Sequence, residues 1–215
     1  MLRLEKYFNK HPEVLYGFSD ISFSNYNDEY KCALVFAVPH KEVLSVDNYR
    51  EDKLEMLICE ARETIDTIVN DIVEILKSKN IKYYIPQVAQ TSEEILEAPI
   101  SFKFAAVNAG LGWIGKNGVL ITEKYGPRVR LSVVLVDYYF KTGTPIVNSR
   151  CDESCNLCVD VCPHKALKGV MWDISTQRSE LSDYKLCNEK RSIFLKDHNR
   201  KNSCGLCMVI CPYGL

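Results

Sequence analysis

Cysteine placement constrains this chain more than any other feature. Eight of its ten cysteines fall in the last third, at Cys151, Cys155, Cys158, Cys162, Cys187, Cys204, Cys207 and Cys211. The sequence shows no apolar signal core and no apolar run of membrane-spanning length, so we expect a reducing, cytoplasmic setting. Clustered cysteines in such a compartment serve as thiolate ligands for metal rather than as disulfides.

The spacing of these cysteines predicts iron-sulfur clusters. The first run reads CxxxCxxCxxxCP and the last reads CxxCxxxCP. Bacterial two-cluster ferredoxins repeat a similar run, and the fourth cysteine of each run ligates the other cluster. Applied here, this crossing rule predicts one [4Fe-4S] site from Cys151, Cys155, Cys158 and Cys211. The second run lacks its leading cysteine, and Cys187 is the local replacement, so the second [4Fe-4S] site comprises Cys162, Cys187, Cys204 and Cys207.

Structural zinc is the main alternative, because zinc also uses paired CxxC motifs. The interval from Cys158 to Cys204 exceeds the usual zinc spacing, and zinc chemistry does not require the repeated xxxCP. The two remaining cysteines stand alone. Cys32 in an apolar strand and Cys59 on an apolar helix face are predicted to be small core residues.

The first 145 residues mix strands and helices without a clean βαβ repeat. The segments KCALVFAV, KYYIP, GVLIT and RVRLSVVLVDYYF predict strands, and PISFKFAAVNA predicts a short helix. Residues 51–80 carry apolar side chains at helical spacing and predict a long helix with one apolar face. We therefore predict an α+β sheet domain over 1–145, followed by a small, loop-rich cysteine domain over 146–215.

The segment AGLGWIGKNG contains Gly110, Gly112 and Gly115 in the formal pattern GxGxxG. A dinucleotide fingerprint needs a strand before the glycines and a helix after them, whereas the order here is reversed. A P-loop needs Ser or Thr after its lysine, but Asn117 follows Lys116. The loop brings backbone close to another surface. The alternative is a helix cap and tight turn with Trp113 as a packing anchor.

Four segments together resemble epoxyqueuosine reductases and, more distantly, reductive dehalogenases: AGLGWIGKNGVLIT, CNLCVDVCPHKAL, YKLC and CGLCMVICP. The likeness runs from about Ala105 to the last residue. It implies a nitroreductase-like α+β domain that binds cobalamin and a ferredoxin-like domain whose two clusters supply electrons to the cobalt. It implies the same cluster partition, including Cys187. It also implies that Gly110, Gly112, Gly115, Lys116 and Asn117 contact the cobalamin.

Some positions depart from that family. Leu96 stands where the family carries an acidic proton donor, with Glu97 one position away, and Phe102 and Lys103 replace a Glu-Arg pair. Epoxide reduction needs a general acid at the leaving oxygen. The resemblance therefore predicts a reductase whose substrate the sequence leaves open. The second hypothesis is an electron-transfer protein, or a reductase of another protein's corrinoid, which would need no such acid.

The charge balance bears on partners. A net charge of -1 gives no global reason to bind nucleic acid or an anionic membrane, so tRNA is not favoured by charge. A basic stretch over 190–201 suits an acidic electron donor such as flavodoxin or ferredoxin, or RNA phosphates, with a solvated helix and loop as the alternative. The sequence predicts no oligomeric state.

Overall fold

The computed structural model describes residues 4–87, 98–190 and 204–215. The chain divides into two compact units. The sheet unit comprises 1–39, 61–111 and 129–146, and the cysteine unit comprises 40–60, 112–128 and 147–215. The chain passes from the sheet unit to the cysteine unit for the last time after Ile146. Two segments from the first 145 residues, 40–60 and 112–128, belong to the cysteine unit. The units are therefore not continuous stretches of the sequence.

The helices and strands follow one another in mixed order, as predicted. They are α1 (Leu4–Phe8), β1 (Leu15–Ser19), β2 (Cys32–Pro39), a 3₁₀ turn (Val46–Asn48), α2 (Glu51–Lys77), β3 (Tyr83–Tyr84), α3 (Phe102–Asn108), β4 (Trp113–Ile114), β5 (Leu120–Ile121), β6 (Val129–Val136), α4 (Leu157–Asp160), α5 (Arg178–Leu181), the helical residues 184–190 (α6) and α7 (Leu206–Val209). Among the described residues, no helix is both long and apolar enough to cross a membrane.

An antiparallel sheet in the order β1-β2-β6-β3 organises the sheet unit. Strand β2 pairs with β6 from Cys32 opposite Val136 to Pro39 opposite Val129. Every β2 residue before Pro39 is buried, because the run is apolar on both faces of the strand. One face, with Leu34 and Phe36, packs against α1 and α2. The strand prediction for this run is confirmed.

Helix α2 confirms the long amphipathic helix. Its apolar stripe, with Ile68, Ile72 and Leu76 almost fully buried, packs on the sheet. Cys32 is buried as predicted, but the prediction for Cys59 is wrong, because Cys59 is exposed. Each residue turns an α-helix by about 100°, so the side chain after the buried Ile58 points away from the apolar stripe.

The last predicted strand is shorter than its apolar and aromatic run. β6 ends at Val136, so Tyr138 and Tyr139 lie beyond it and are exposed. Aromatic residues favour strands, but their propensity alone does not determine where strand pairing ends. The segments KYYIP and GVLIT do form strands, although each pairs over two residues only.

The cysteine unit is held by a small apolar core and short helices. Leu44, Leu54, Leu57, Ile58, Met208 and Val209 are buried together. Strand β4 pairs with β5 as a hairpin, and α4 packs on α7. The helices α4, α5 and α7 span four residues each, so most of what the structure describes of this unit is turn and loop.

Candidate metal centre

Four of the predicted ligands surround one cavity. Cys151, Cys155, Cys158 and Cys211 line this cavity together with Lys116, Asn117, Ile121, Asp152, Leu157, Pro212 and Tyr213. We call these four cysteines the Cys151 site. The last cysteine of the chain thus lies with the first cysteine run and not with its own.

Local polar contacts shape the loop that carries three of these cysteines. Asp152 Oδ1 accepts a hydrogen bond from the backbone nitrogen of Ser154 at 2.7 Å, and the backbone nitrogen of Cys155 donates to the carbonyl oxygen of Asp152 at 3.2 Å. Hydrogen bonds from Ser154 hold the pKa of Asp152 below its usual value. The resulting tight turn leads directly into α4, which carries Cys158, so all three cysteines face the same cavity.

The other four cysteines form a second group. We call Cys162, Cys187, Cys204 and Cys207 the Cys162 site. Cys162 follows α4, Cys187 lies on α6, and Cys207 lies on α7. Burial, followed by the neighbouring thiols of Cys187, Cys204, Cys158 and Cys162, raises the pKa of Cys207 to about 12. The electrostatic neighbours of Cys207 therefore include the other three members of its group.

The donor chemistry of both groups fits iron-sulfur clusters. Burial, followed by Cys151, Cys211 and Cys155, raises the pKa of Cys158 to about 11, whereas a coordinated thiol gives up its proton outright. Sets made only of thiols suit soft metals and iron-sulfur clusters. Within the ranges that the structure describes, no three His, Cys, Asp or Glu side chains gather as they would around one ion. Two groups of four thiols match the four thiolates that each [4Fe-4S] cluster takes.

The glycine-rich segment forms a hairpin next to the Cys151 site. Strands β4 and β5 are joined by a turn in which the backbone nitrogen of Gly118 donates to the carbonyl oxygen of Gly115 at 2.8 Å. Gly118 has a φ of 69°, in the left-handed region that favours glycine. Helix α3 precedes the glycines and β5 follows them, so the segment is a cap and tight turn rather than a dinucleotide fingerprint. The turn presents Lys116 and Asn117.

These two consecutive side chains each hold one cysteine loop. Lys116 is 3% exposed, and its Nζ donates to the carbonyl oxygens of Glu153 at 2.8 Å and Cys155 at 3.0 Å. Asn117 Nδ2 donates to the carbonyl oxygen of Cys207 at 3.1 Å. One turn therefore fixes a loop of the Cys151 site and a loop of the Cys162 site. Both side chains, predicted as cobalamin contacts, are engaged within the cysteine unit.

Arg128 is a site residue that sequence reasoning missed. It is 5% exposed, and its guanidinium donates to the carbonyl oxygens of Tyr213 at 2.6 Å, Cys211 at 2.7 Å and Val209 at 3.2 Å. It thereby caps α7 and fixes the segment that carries Cys211. No spacing in YGPRVR distinguishes this arginine from a surface one.

Tyr49 is also part of this arrangement. Its hydroxyl donates to the carbonyl oxygen of Cys204 at 2.5 Å. Burial raises the pKa of Tyr49, so the hydroxyl keeps its proton and remains a donor. The Cys204 loop is therefore held by a side chain that enters the cysteine unit from just before α2. Tyr49 stands outside every cysteine motif, so spacing alone did not identify it.

Comparison with known proteins also indicates iron-sulfur clusters. Residues 150–214 match the 4Fe-4S double cluster binding domain. The epoxyqueuosine reductase of Listeria monocytogenes is 36% identical over 115 residues, which are 50% of this chain and 28% of that protein. The structure of epoxyqueuosine reductase from Bacillus subtilis superposes with a TM-score of 0.60 at 19% identity, over 99% of this chain and 65% of that one.

A reductive dehalogenase structure superposes with a TM-score of 0.64 at 15% identity, over 94% of this chain and 30% of that one. The chain spans only part of these proteins, from 28% to 38% of the curated epoxyqueuosine reductases that it matches. The sequence match covers about half of this chain. Residues 150–214 match a 4Fe-4S double cluster binding domain, and the chain is similar in sequence and in fold to the epoxyqueuosine reductases.

Proposed function

We propose that this chain is an iron-sulfur oxidoreductase that passes electrons through two [4Fe-4S] clusters to a bound cobalamin. In this proposal Cys151, Cys155, Cys158 and Cys211 ligate one cluster, and Cys162, Cys187, Cys204 and Cys207 ligate the other. The observation that carries the proposal is the grouping of eight cysteines into two sets of four with crossed membership. Such crossing is the arrangement of two-cluster ferredoxins.

Residues of the chain would do the supporting work. Lys116, Asn117, Arg128 and Tyr49 hold backbone carbonyls beside cysteines of both sites. These hydrogen bonds hold the cysteine-bearing segments in place, which would limit the rearrangement that accompanies a change of charge. The backbone nitrogen of Ala166 also donates to Cys162 Sγ at 3.4 Å. A hydrogen bond to a ligating sulfur is one of the means by which proteins set cluster potentials.

Cobalamin is the proposed electron acceptor. A reductive dehalogenase of similar fold is described as B12-dependent, which supports a cofactor of this type. We propose that the sheet unit is nitroreductase-like, that the cysteine unit is ferredoxin-like, and that Gly110, Gly112, Gly115, Lys116 and Asn117 form part of the cobalamin site. Because the side-chain donors of Lys116 and Asn117 are engaged by carbonyls, backbone groups would supply the contacts there. Bound cobalamin would supply the cobalt chemistry that amino-acid side chains lack.

The proposal for the substrate comes from one relative of similar fold. One epoxyqueuosine reductase of this fold has been crystallised with an epoxyqueuosine-modified tRNA stem loop, which supports tRNA as a partner. Leu96 and Glu97, at the position of the family's proton donor, lie outside the described residues, as does most of the basic stretch considered for a flavodoxin or ferredoxin donor. Leu96 cannot donate a proton, so the alternative remains an electron-transfer protein or a reductase of another protein's corrinoid.

Iron content tests the cluster assignment. Anaerobic reconstitution should give about eight irons and eight sulfides per chain, because each site holds four of each. Replacing the ligand in Cys211→Ser should reduce both by about half. Cys59→Ser is the matched control, since Cys59 is exposed and outside both groups, and it should retain the full content. A wild-type chain with four irons, or a Cys211→Ser chain with all eight, contradicts the assignment.

Cobalamin titration separates the two functions. The reconstituted chain should bind cobalamin with a change in the corrin absorption bands and should then be tested for turnover of epoxyqueuosine-containing tRNA. Failure to bind any corrinoid while eight irons are present favours the electron-transfer alternative. Binding without turnover of this tRNA favours a different substrate.

A further inference from the structure

The Cys151 site carries a buried ammonium group. Lys116 is 3% exposed, and the acceptors of its Nζ are the carbonyl oxygens of Glu153 and Cys155. Burial of a charge is costly unless an opposite charge compensates it. Carbonyl dipoles orient an ammonium group but do not neutralise it. The positive charge is therefore available to whatever fills the adjoining cavity, which Lys116 itself lines.

A second buried cation contacts the segment that carries Cys211. Arg128 is 5% exposed and holds the carbonyl oxygen of Cys211 at 2.7 Å. Its Nε has no hydrogen-bond partner among the residues that the structure describes. In those residues no Asp or Glu forms an ion pair with Lys116 or with Arg128. In the described part of the chain neither cation is in an ion pair, and each contacts a carbonyl of a Cys151-site cysteine, Lys116 that of Cys155 and Arg128 that of Cys211.

Within the ranges 4–87, 98–190 and 204–215, the residues that contact the Cys162 site have a different character. Its loops are held by neutral donors, the Tyr49 hydroxyl on the carbonyl of Cys204 and the Asn117 amide on the carbonyl of Cys207. Glu51, in the first turn of α2, lies near enough for its charge to act on Cys204. Among the residues that the structure describes, buried positive charge therefore adjoins the Cys151 site, whereas a carboxylate and neutral donors adjoin the Cys162 site.

One carboxylate opposes this difference. Asp152 lines the cavity of the Cys151 site together with Lys116. It is exposed, and water and salt screen an exposed charge far more than a buried one. The two buried cations therefore outweigh it.

We propose that Lys116 and Arg128 set the order of reduction potentials, so that the cluster of the Cys151 site is reduced more easily than the cluster of the Cys162 site. The inference rests on the proposed cluster assignment. Reduction adds one electron and no proton, so a cluster becomes more negative, and adjacent buried positive charge stabilises that state. An electron shared between the clusters then leaves the Cys162 site, oxidising it by one electron, and reduces the Cys151 site by one.

The potentials can be measured independently of enzyme activity. Reconstituted chain holding eight irons would be titrated with dithionite under anaerobic conditions and followed by electron paramagnetic resonance, which should resolve two midpoint potentials. Cys211→Ser identifies them, because it removes a ligand of the Cys151 site and should abolish the higher potential. Loss of the lower potential instead would overturn the proposal. A chain that holds no more than four irons would contradict the cluster assignment itself.

Charge removal tests the cause. Lys116→Met should lower the midpoint potential of the Cys151-site cluster by at least about 59 mV. For a one-electron couple this is a tenfold change in the equilibrium constant for reduction. Lys116→Arg keeps the positive charge, so its midpoint potential should lie close to that of the wild-type chain. Arg128→Gln should act in the same direction; because three carbonyls depend on Arg128, the Lys116 pair decides the matter if Arg128→Gln does not fold.

Two further variants complete the design. Lys168 is an exposed lysine of the same unit whose Nζ also donates to a carbonyl, that of Ser179 at 2.8 Å, so Lys168→Met is the matched control and should leave both potentials unchanged. Glu51→Gln should raise the lower midpoint potential and so reduce the difference between the two midpoint potentials. Equal potentials in the wild-type chain with eight irons, or equal shifts in Lys116→Met and Lys168→Met, would refute the inference and leave the cluster assignment standing.

Discussion

Tyr49 donates a hydrogen bond from its hydroxyl to the carbonyl oxygen of Cys204, although the two residues are far apart in sequence. The bond joins the segment before α2 to a predicted cluster ligand. Removing the hydroxyl in Tyr49→Phe should cost about 1 kcal/mol of stability, because a neutral hydrogen bond is lost and the ring still packs. The Cys162 site should also lose iron faster to a chelator, while about four irons remain with the Cys151 site.

The control for this prediction is Tyr139→Phe. Tyr139 is 77% exposed, so removal of its hydroxyl should change neither the thermal midpoint nor the rate of iron loss. Iron release at the same rate from Tyr49→Phe and from the wild-type chain would show that the Tyr49 bond does not support the Cys162 site.

Gly126 lies where two backbone segments of the cysteine unit approach closely. A Cβ atom there would lie 1.9 Å from the carbonyl oxygen of Tyr213, and its φ of 56° is left-handed. Gly126→Ala should therefore displace the segment after Cys211 and lower the thermal midpoint. The conformational cost alone is about 1–2 kcal/mol, and the collision adds to it.

Gly169→Ala separates these two causes. Gly169 also has a left-handed φ, of 73°, but a Cβ atom there would meet nothing nearer than 3.6 Å. We expect only the conformational cost, measured as a smaller fall of the midpoint than in Gly126→Ala. Equal falls in the two variants would contradict a steric role for Gly126.

The parts of this molecule differ in how far sequence could predict them. Local periodicity was enough for β2 and α2, because an apolar run or stripe records burial directly. Cysteine spacing led to the ligand set that includes Cys211, because ligand chemistry limits the alternatives, and this ligand set stays a prediction. Arg128 was out of reach, because its role depends on three carbonyls supplied by a distant segment. Cys59 was misjudged because a single helical step separates a buried face from an exposed one.

Ile72 tests the core of the sheet unit. It is fully buried on α2 beneath the face of β2 that carries Phe36. Ile72→Ala should cost about 2–5 kcal/mol through lost burial and the cavity left behind. Ile85→Ala removes the same atoms from a side chain that is 40% exposed and should cost much less. Thermal unfolding followed by circular dichroism checks both, and similar midpoints for the two variants would contradict the assigned core.

Burial of Cys32 should make the stability of the sheet unit depend on pH in the alkaline range. Burial raises the pKa of this thiol to about 11, whereas the pKa of a cysteine in the unfolded chain is about 8.5. Below the unfolded pKa the thiol is neutral in both states, so its contribution to stability is complete there. As the pH rises toward 11, only the unfolded chain releases the proton, and stability falls. Cys32→Ala should therefore lose less stability than the wild-type chain between about pH 8.5 and 11. Cys59→Ala, which alters an exposed thiol, should follow the wild-type curve, and a Cys32→Ala curve parallel to the wild type would show that Cys32 does not titrate differently on folding.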